Sequence, residues 1–177
     1  MTTWIALLRG INVGGKNLLP MAKLRSDLED LKFKNVRTYI QSGNVVFEST
    51  AKTASSLAKK IATRIGAEHG FRPHVFVLKS GDLQTAVNSN PFPQAVADPK
   101  TLHFFLLASP PTKPNLTSIE AAKSPTEQYK LTDSVFYLHA PDGIGRSKLA
   151  ANIEKHLGVV TTARNYRTIE KLLSMIA

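Results

Sequence analysis

The chain has 177 residues, no cysteine and a formal net charge of +10 at pH 7. That length buries a sizeable core, as one domain or as two small halves. The absent thiols exclude disulfides, cysteine nucleophiles and cysteine-ligated zinc or iron–sulfur centres, and apolar runs such as residues 104–108 fall far short of the ~20 residues of a membrane span.

With no basic segment ahead of the first apolar stretch, no secretory signal is expected and the chain reads as intracellular. The cation excess suits nucleic acid, phosphorylated ligands or anionic surfaces. Lysines such as Lys59 and Lys60 serve solubility equally well, with their stems on apolar surface and their ammonium groups in water.

Residues 3–9 predict a strand. Pro20, favourable in a first turn, and the stripe Met21, Leu24, Leu28 and Leu31 predict a helix over residues 20–33. Residues 36–40 and 45–48 read as strands around a turn at 41–44, where Ser42-Gly43 is the turn signal. Leu57, Ile61 and Ile65 share one face of a helix over about residues 53–68, and residues 74–78 follow as a strand. This β-α-β-β-α-β order is the ferredoxin-like split motif.

Residues 80–100 read as a connector, with a short helix from Ser80 through Val87 that ends before Asn90-Pro91-Phe92-Pro93. The order then repeats. Residues 102–107 form a strand, Asn115 or Thr117 caps a helix to about Lys123, and residues 127–131 pair with 135–139. A helix over 147–157, a short strand at 159–161 and a last helix over about 165–176 complete the chain. The fold class expected is therefore α+β: two ferredoxin-like halves packed together, residues 1–79 and 101–177, the second with a C-terminal helix. Ile5-Ala6-Leu7-Leu8 and residues 102–107 are continuous apolar runs, as in strands covered on both faces. That argues against an open sheet whose bare face binds RNA.

The chemistry-bearing segments are two. Arg9-Gly10-Ile11-Asn12-Val13-Gly14-Gly15-Lys16-Asn17 follows the first strand, and closely spaced glycines expose backbone N–H groups and permit φ > 0, a concavity suited to an anion. Gln41-Ser42-Gly43-Asn44 is the second. In the split motif the end of the first strand and the turn between the second and third lie on one sheet edge. Arg9, Asn12, Gly14, Gly15 and Lys16 are thus expected across a shallow cleft from Gln41, Ser42, Gly43 and Asn44. The alternative is that these are structural glycines and a hairpin turn, with Asn12 and Asn44 bonding local backbone. A guanidinium at the end of a buried strand, as at Arg9, needs an acid, carbonyls or an anion.

Residues 10–16 match G-x-x-x-x-G-K, but Asn17 stands where a P-loop needs a magnesium-binding hydroxyl, and the helix starts several residues late. Residues 142–148, with Arg146 and Lys148, enter a helix and read either as a phosphate site or, preferably, as a capped helix with solvated charges. Thr161-Thr162-Ala163-Arg164-Asn165-Tyr166-Arg167 reads as a third, basic helix entry, in which a threonine or Asn165 caps and Arg164 and Arg167 either reach a ligand or face water. Arg164 and Asn165 stand with the ligand-binding candidates. No catalytic constellation emerges: no paired acids suit glycoside chemistry, the five histidines lack ligand spacing for a metal, and no histidine lies near Ser42 to activate it. No cofactor or metal is expected.

The segments RGINVGGKN, YIQSGNVVF, NPF, GIGRSKL and TTARNYRT, in this order, resemble a widespread bacterial family known as a domain of unknown function. The resemblance spans essentially the whole chain. It implies a cytoplasmic α+β protein of two ferredoxin-like subdomains, with Arg9, Asn12, Gly14, Gly15, Gln41, Ser42, Gly43, Asn44, Arg164 and Asn165 as signature positions. Tyr166 stands where the family usually has Trp. The function expected is binding of a small anionic, phosphorylated ligand by the Arg9–Lys16 loop and the 41–44 turn. The alternatives are sequence-tolerant nucleic-acid binding and a metal-independent enzyme.

Overall fold

Strand β1 (Thr2–Leu8) is apolar from Trp4 onward, and residues 4–8 are at most 2% exposed. A computed structural model describes all 177 residues. After β1 come α1 (Met21–Asp30), β2 (Lys34–Tyr39), β3 (Asn44–Ser49), α2 (Ala54–His69), β4 (Val75–Lys79) and α3 (Ser80–Asn88). Beyond a 3-10 turn at Pro93–Ala97 lie β5 (Leu102–Leu107), α4 (Leu116–Ala122), β6 (Gln128–Leu131) and β7 (Val135–His139). A second 3-10 turn, Ile144–Arg146, leads to α5 (Lys148–Leu157), β8 (Thr161–Asn165) and α6 (Tyr166–Ile176).

The strands form two four-stranded antiparallel sheets, ordered β2-β3-β1-β4 and β6-β7-β5-β8. Each order places the third strand between the first and second, which is the ferredoxin-like arrangement. The chain divides into two compact units, Met1–Thr85 with Lys171–Ala177, and Ala86–Glu170.

In the first unit Trp4, Ala6 and Leu8 of β1 join Val45 and Phe47 of β3 and the apolar stripes of α1 and α2 in one core. Ile5, Leu7 and Val46 point to the opposite face and are equally shielded. Both faces of the sheet are covered, as its continuous apolar runs require. Helix α1 has no side-chain cap at Pro20, and it stops at Asp30 because Lys32 swings to φ +66°, three residues short of the expected end. Helix α2 is capped by Thr53, whose hydroxyl accepts from the Ser56 N–H at 3.3 Å, and closes on left-handed Gly70. Buried Asp27 of α1 meets His69 of α2 at 2.6 Å.

In the second unit Phe105 of β5, Phe136 and Leu138 of β7, Ile119 of α4 and Leu149, Ile153 and Leu157 of α5 make the core. Asn115, rather than Thr117, caps α4, accepting from the Ser118 N–H at 3.0 Å. The last strand is longer than expected and displaced. Residues 159–161 predict it, but β8 runs Thr161–Asn165 and pairs with β5 from Leu107↔Thr161 to His103↔Asn165. The polar run Thr-Thr-Ala-Arg-Asn hides a strand, because its β-branched threonines favour extended backbone while its charge suggests a helix entry.

Candidate functional site

Beyond Leu8 the chain leaves the sheet through Arg9 and Gly10 and forms a small hairpin. Val13 and Lys16 pair as an antiparallel bridge, the Lys16 N–H donates to the Val13 carbonyl at 3.0 Å, and the Asn12 N–H donates to the Asn17 carbonyl at 3.1 Å. Gly14 and Gly15 fill the two central positions at φ +57° and +73°. Left-handed backbone at both is the requirement of the I′ turn, whose twist matches a two-residue hairpin. A side chain at either glycine would meet open space, so they serve conformation and not close approach. The expected concave cradle is thus a projecting hairpin, with two of its backbone N–H groups engaged internally.

The hairpin is rooted by Ile11 and Leu19, 1% and 0% exposed. Half-buried Asn12, at φ +53°, clamps it. Its Oδ1 accepts from the Leu19 N–H at 2.7 Å, and its Nδ2 donates to the Leu19 carbonyl at 2.9 Å and to the Gln41 carbonyl at 2.7 Å. Asn17 Nδ2 donates to the Gly10 carbonyl at 3.1 Å.

The 41–44 turn meets the hairpin from the other side. The Gly43 carbonyl accepts from the Leu8 N–H at 2.9 Å. Gly43 itself lies at φ +81°, and a Cβ there would stand 2.7 Å from Leu8 Cβ and 2.8 Å from Ile11 Cδ1. Only glycine fits. Asn44 is fully buried, and its Nδ2 donates to the Tyr39 carbonyl at 3.1 Å and to Ser42 Oγ at 2.9 Å. Ile40 sits at φ +48° and is 50% exposed. A β-branched side chain in that region is strained by about 1–2 kcal/mol.

The loop and the turn therefore share one sheet edge. Arg9, Gly14, Gly15, Lys16 and Gln41 are exposed, Asn12 and Ser42 are half-buried, and Gly43 and Asn44 are buried. The side-chain amides of Asn12 and Asn44 bond backbone and a neighbouring hydroxyl, so these two hold the edge in shape. No acidic residue occurs in residues 1–26 or 31–47, which together carry Arg9, Lys16, Lys23, Arg25, Lys32, Lys34 and Arg37. The two stretches that build the edge are basic, a composition that favours anions. Lys16 follows a hairpin turn and α1 begins at Met21, so the Gly15-Lys16 pair does not stand at a helix N-terminus as in a P-loop.

Arg164 and Asn165 belong to β8 of the second unit. Arg164 is 9% exposed and donates to Thr162 Oγ1 at 2.8 Å and to the Ala163 carbonyl at 2.9 Å. Burial pushes its guanidinium down to about 10, which leaves it charged at neutral pH. Asn165 Oδ1 accepts from the Thr168 N–H at 3.0 Å, the pattern of a helix N-cap.

The glycine loop at 142–148 ends in a cap as well. Ser147 Oγ accepts from the Ala150 N–H at 3.0 Å and donates to Glu127 Oε2 at 2.5 Å, while Glu127 Oε1 accepts from the Ser124 N–H at 2.9 Å. Glu127, 4% exposed, is a buried carboxylate that sequence reasoning placed in a strand without a role. Ile40, expected as the last residue of a strand, instead lies in the left-handed region beyond Tyr39. Nowhere do three histidine or acidic side chains converge as a metal site would require, and no helix is long and apolar enough to cross a membrane.

Comparison with known proteins bears on fold and family. A family model described as "Protein of unknown function (DUF1697)" matches residues 1–137. The solved structure of SP0830, a conserved bacterial protein from Streptococcus pneumoniae, is similar at 24% identity with a TM-score of 0.77, covering 99% of each chain. At that identity the likeness shows the fold alone. No curated protein matches the chain.

Proposed function

The chain belongs to the DUF1697 family, whose function is unknown, and we propose that its first unit binds an anionic ligand at the edge shared by the hairpin and the 41–44 turn. The observation that carries this reading is the Asn12 clamp. Three hydrogen bonds from one side chain tie the loop that contains Lys16 and follows Arg9 to the turn that contains Gln41 and Ser42. Positioning of cations and hydrogen-bonding groups by a rigid scaffold is how loops come to recognise ligands. Arg9 and Lys16 supply charge, and Gln41 and Ser42 supply hydrogen-bonding groups. Asn12, Gly43 and Asn44 hold the arrangement. A phosphorylated small molecule fits that donor set, because charge-assisted hydrogen bonds to phosphate are the stronger kind.

Pyrophosphate tests the reading directly. A ligand that binds the folded state alone raises the melting temperature with concentration, so a rising transition is expected for the native sequence. The rise shrinks in Arg9→Lys, which loses the planar donor fork, and in Lys16→Ala. No rise, or an equal rise in both variants, overturns the assignment. Nucleic acid is the second reading, favoured by the acid-free stretches around the edge. It requires affinity for oligonucleotides that falls steeply with salt.

A further inference from the structure

Helix α2 has two faces of different character. Leu57, Ile61 and Ile65 are fully buried in the core of the first unit. Ser56, Lys60, Thr63 and Ala67 are exposed and recur at helical spacing, so they share one outward stripe. With Lys59, Arg64 and Leu31, the residue that ends α1, this stripe lines a groove of about 500 Å³. Most of these residues are polar, yet the surface they turn to the groove is almost wholly apolar. The wall is therefore Leu31, Ala67 and the aliphatic parts of the longer side chains. Lysine stems cover apolar surface in this way while their ammonium groups stay in water.

The cations around the wall are of two kinds. Arg64 is neutralised within the fold, where it pairs with Asp30, with Glu68 at 3.5 Å and with Asp27 at 3.7 Å. Lys59 and Lys60, both exposed and about one turn earlier, take part in no ion pair. Glu68 is the one acidic residue of α2, so nothing on the helix offsets the two lysines at their own level. The groove thus joins an apolar wall to two adjacent, uncompensated positive charges.

We propose that this groove binds an anionic amphiphile, a free alkyl carboxylate whose chain lies on the apolar wall and whose head pairs with Lys59 and Lys60. Apolar surface draws the chain out of water, and two charges of one sign select a negative head over a positive one. The volume falls within the range of about 300–1,000 Å³ typical of small-molecule sites. The stripe from Ser56 to Ala67 runs about 16 Å along the helix axis, a run that an extended chain can follow. No aromatic ring lines the groove, so the bases of a nucleic acid find no stacking platform there. None of residues 9–17 or 41–44 lines it either, so this site stands apart from the hairpin edge.

The test is a titration of decanoate, below its micelle concentration, into the isotope-labelled full chain, with amide shifts read by NMR. Saturable shifts are expected at Leu31 and along residues 56–67, with an affinity that falls as salt is added. Acetate lacks the chain and is expected to leave those amides unmoved, and decyltrimethylammonium, with its head inverted, to bind more weakly. Lys59→Gln/Lys60→Gln is expected to lose at least about threefold in affinity. Ala67→Glu, which sets a carboxylate at the wall, is expected to lose at least about tenfold. These exposed helical positions tolerate substitution, which unchanged melting temperatures verify. The proposal is overturned by an absence of saturable shifts, by shifts centred on residues 9–17 and 41–44, or by equal shifts with acetate. Equal affinity for decyltrimethylammonium, or undiminished affinity in either variant, overturns it too. So does a melting temperature that falls as decanoate rises, because a ligand of the folded state raises it.

Discussion

Asn12 donates to the carbonyl of Gln41, 29 residues further along the chain, at 2.7 Å. The same side chain closes a two-way bond with Leu19, whose backbone is buried. Asn12→Ala removes all three bonds, leaves the Leu19 N–H without its partner, and places alanine at φ +53°. The expected loss is about 2–4 kcal/mol in denaturant unfolding. Asn12→Asp is expected to be at least as damaging despite its matching shape, because it sets a carboxylate oxygen against the two carbonyls that now receive N–H groups. An Asp variant as stable as the native chain contradicts the bonding pattern.

Gly43 is the second fixed point. Gly43→Ala combines a left-handed backbone with a Cβ 2.7 Å from that of Leu8, so the turn must separate from the end of β1. Roughly 2–4 kcal/mol of stability is expected to be lost. Gly14→Ala and Gly15→Ala share the backbone strain but meet no neighbour. Each is expected to cost only about 1–2 kcal/mol. The contrast, measured in one urea series, separates crowding from conformation.

Ile40 offers the opposite sign. Ile40→Asn retains φ +48° with a residue that tolerates it, and gains about 1 kcal/mol. Ile40→Val keeps the β-branch and is expected to gain nothing. The two melting temperatures decide the matter, and a destabilised Asn variant removes the case for strain.

His103, on β5 and 7% exposed, gives a pH dependence. Burial lowers its pKa from 6.5 to about 4, opposed by a hydrogen bond with the Thr101 backbone. Above pH 6.5 the imidazole is neutral whether the chain is folded or not. As the pH falls toward 4 the unfolded chain takes up a proton that the folded chain refuses, so stability declines across that window and this contribution levels off below it. The full effect is about 3 kcal/mol at most. His103→Leu is expected to flatten the stability profile between pH 6.5 and 4 relative to the native chain, as read from urea midpoints at each pH.

The alternation of strands and helices was legible because apolar spacing is a local property. Trp4 through Leu8, or Leu57, Ile61 and Ile65, announce their elements without help from the rest of the fold. The juxtaposition of the loop and the turn followed from strand order alone. What remained hidden was set by tertiary contact. Gly14-Gly15 is equally compatible with an anion cradle and with a hairpin tip, and the pairing of Val13 with Lys16 decides between them. Nothing local distinguishes Gly43, which fills a gap, from Gly10, which faces space. The polar content of β8 masked a strand whose hydrogen bonds go to β5, and Ile40 adopts a backbone conformation that propensity assigns to other residues.

The first unit is discontinuous in sequence: Met1–Thr85 is completed by Lys171–Ala177, with the whole of Ala86–Glu170 between them. On the ribosome these two parts emerge several seconds apart, at about 5–20 residues per second. During that interval the hairpin, the turn and the β1–β4 sheet exist without the closing segment, whose Leu172 is fully buried in the finished protein. Synthesis order therefore leaves the first unit without the segment that contains Leu172 until the last helix emerges, a period in which the apolar surface awaiting that buried side chain is open to chaperones.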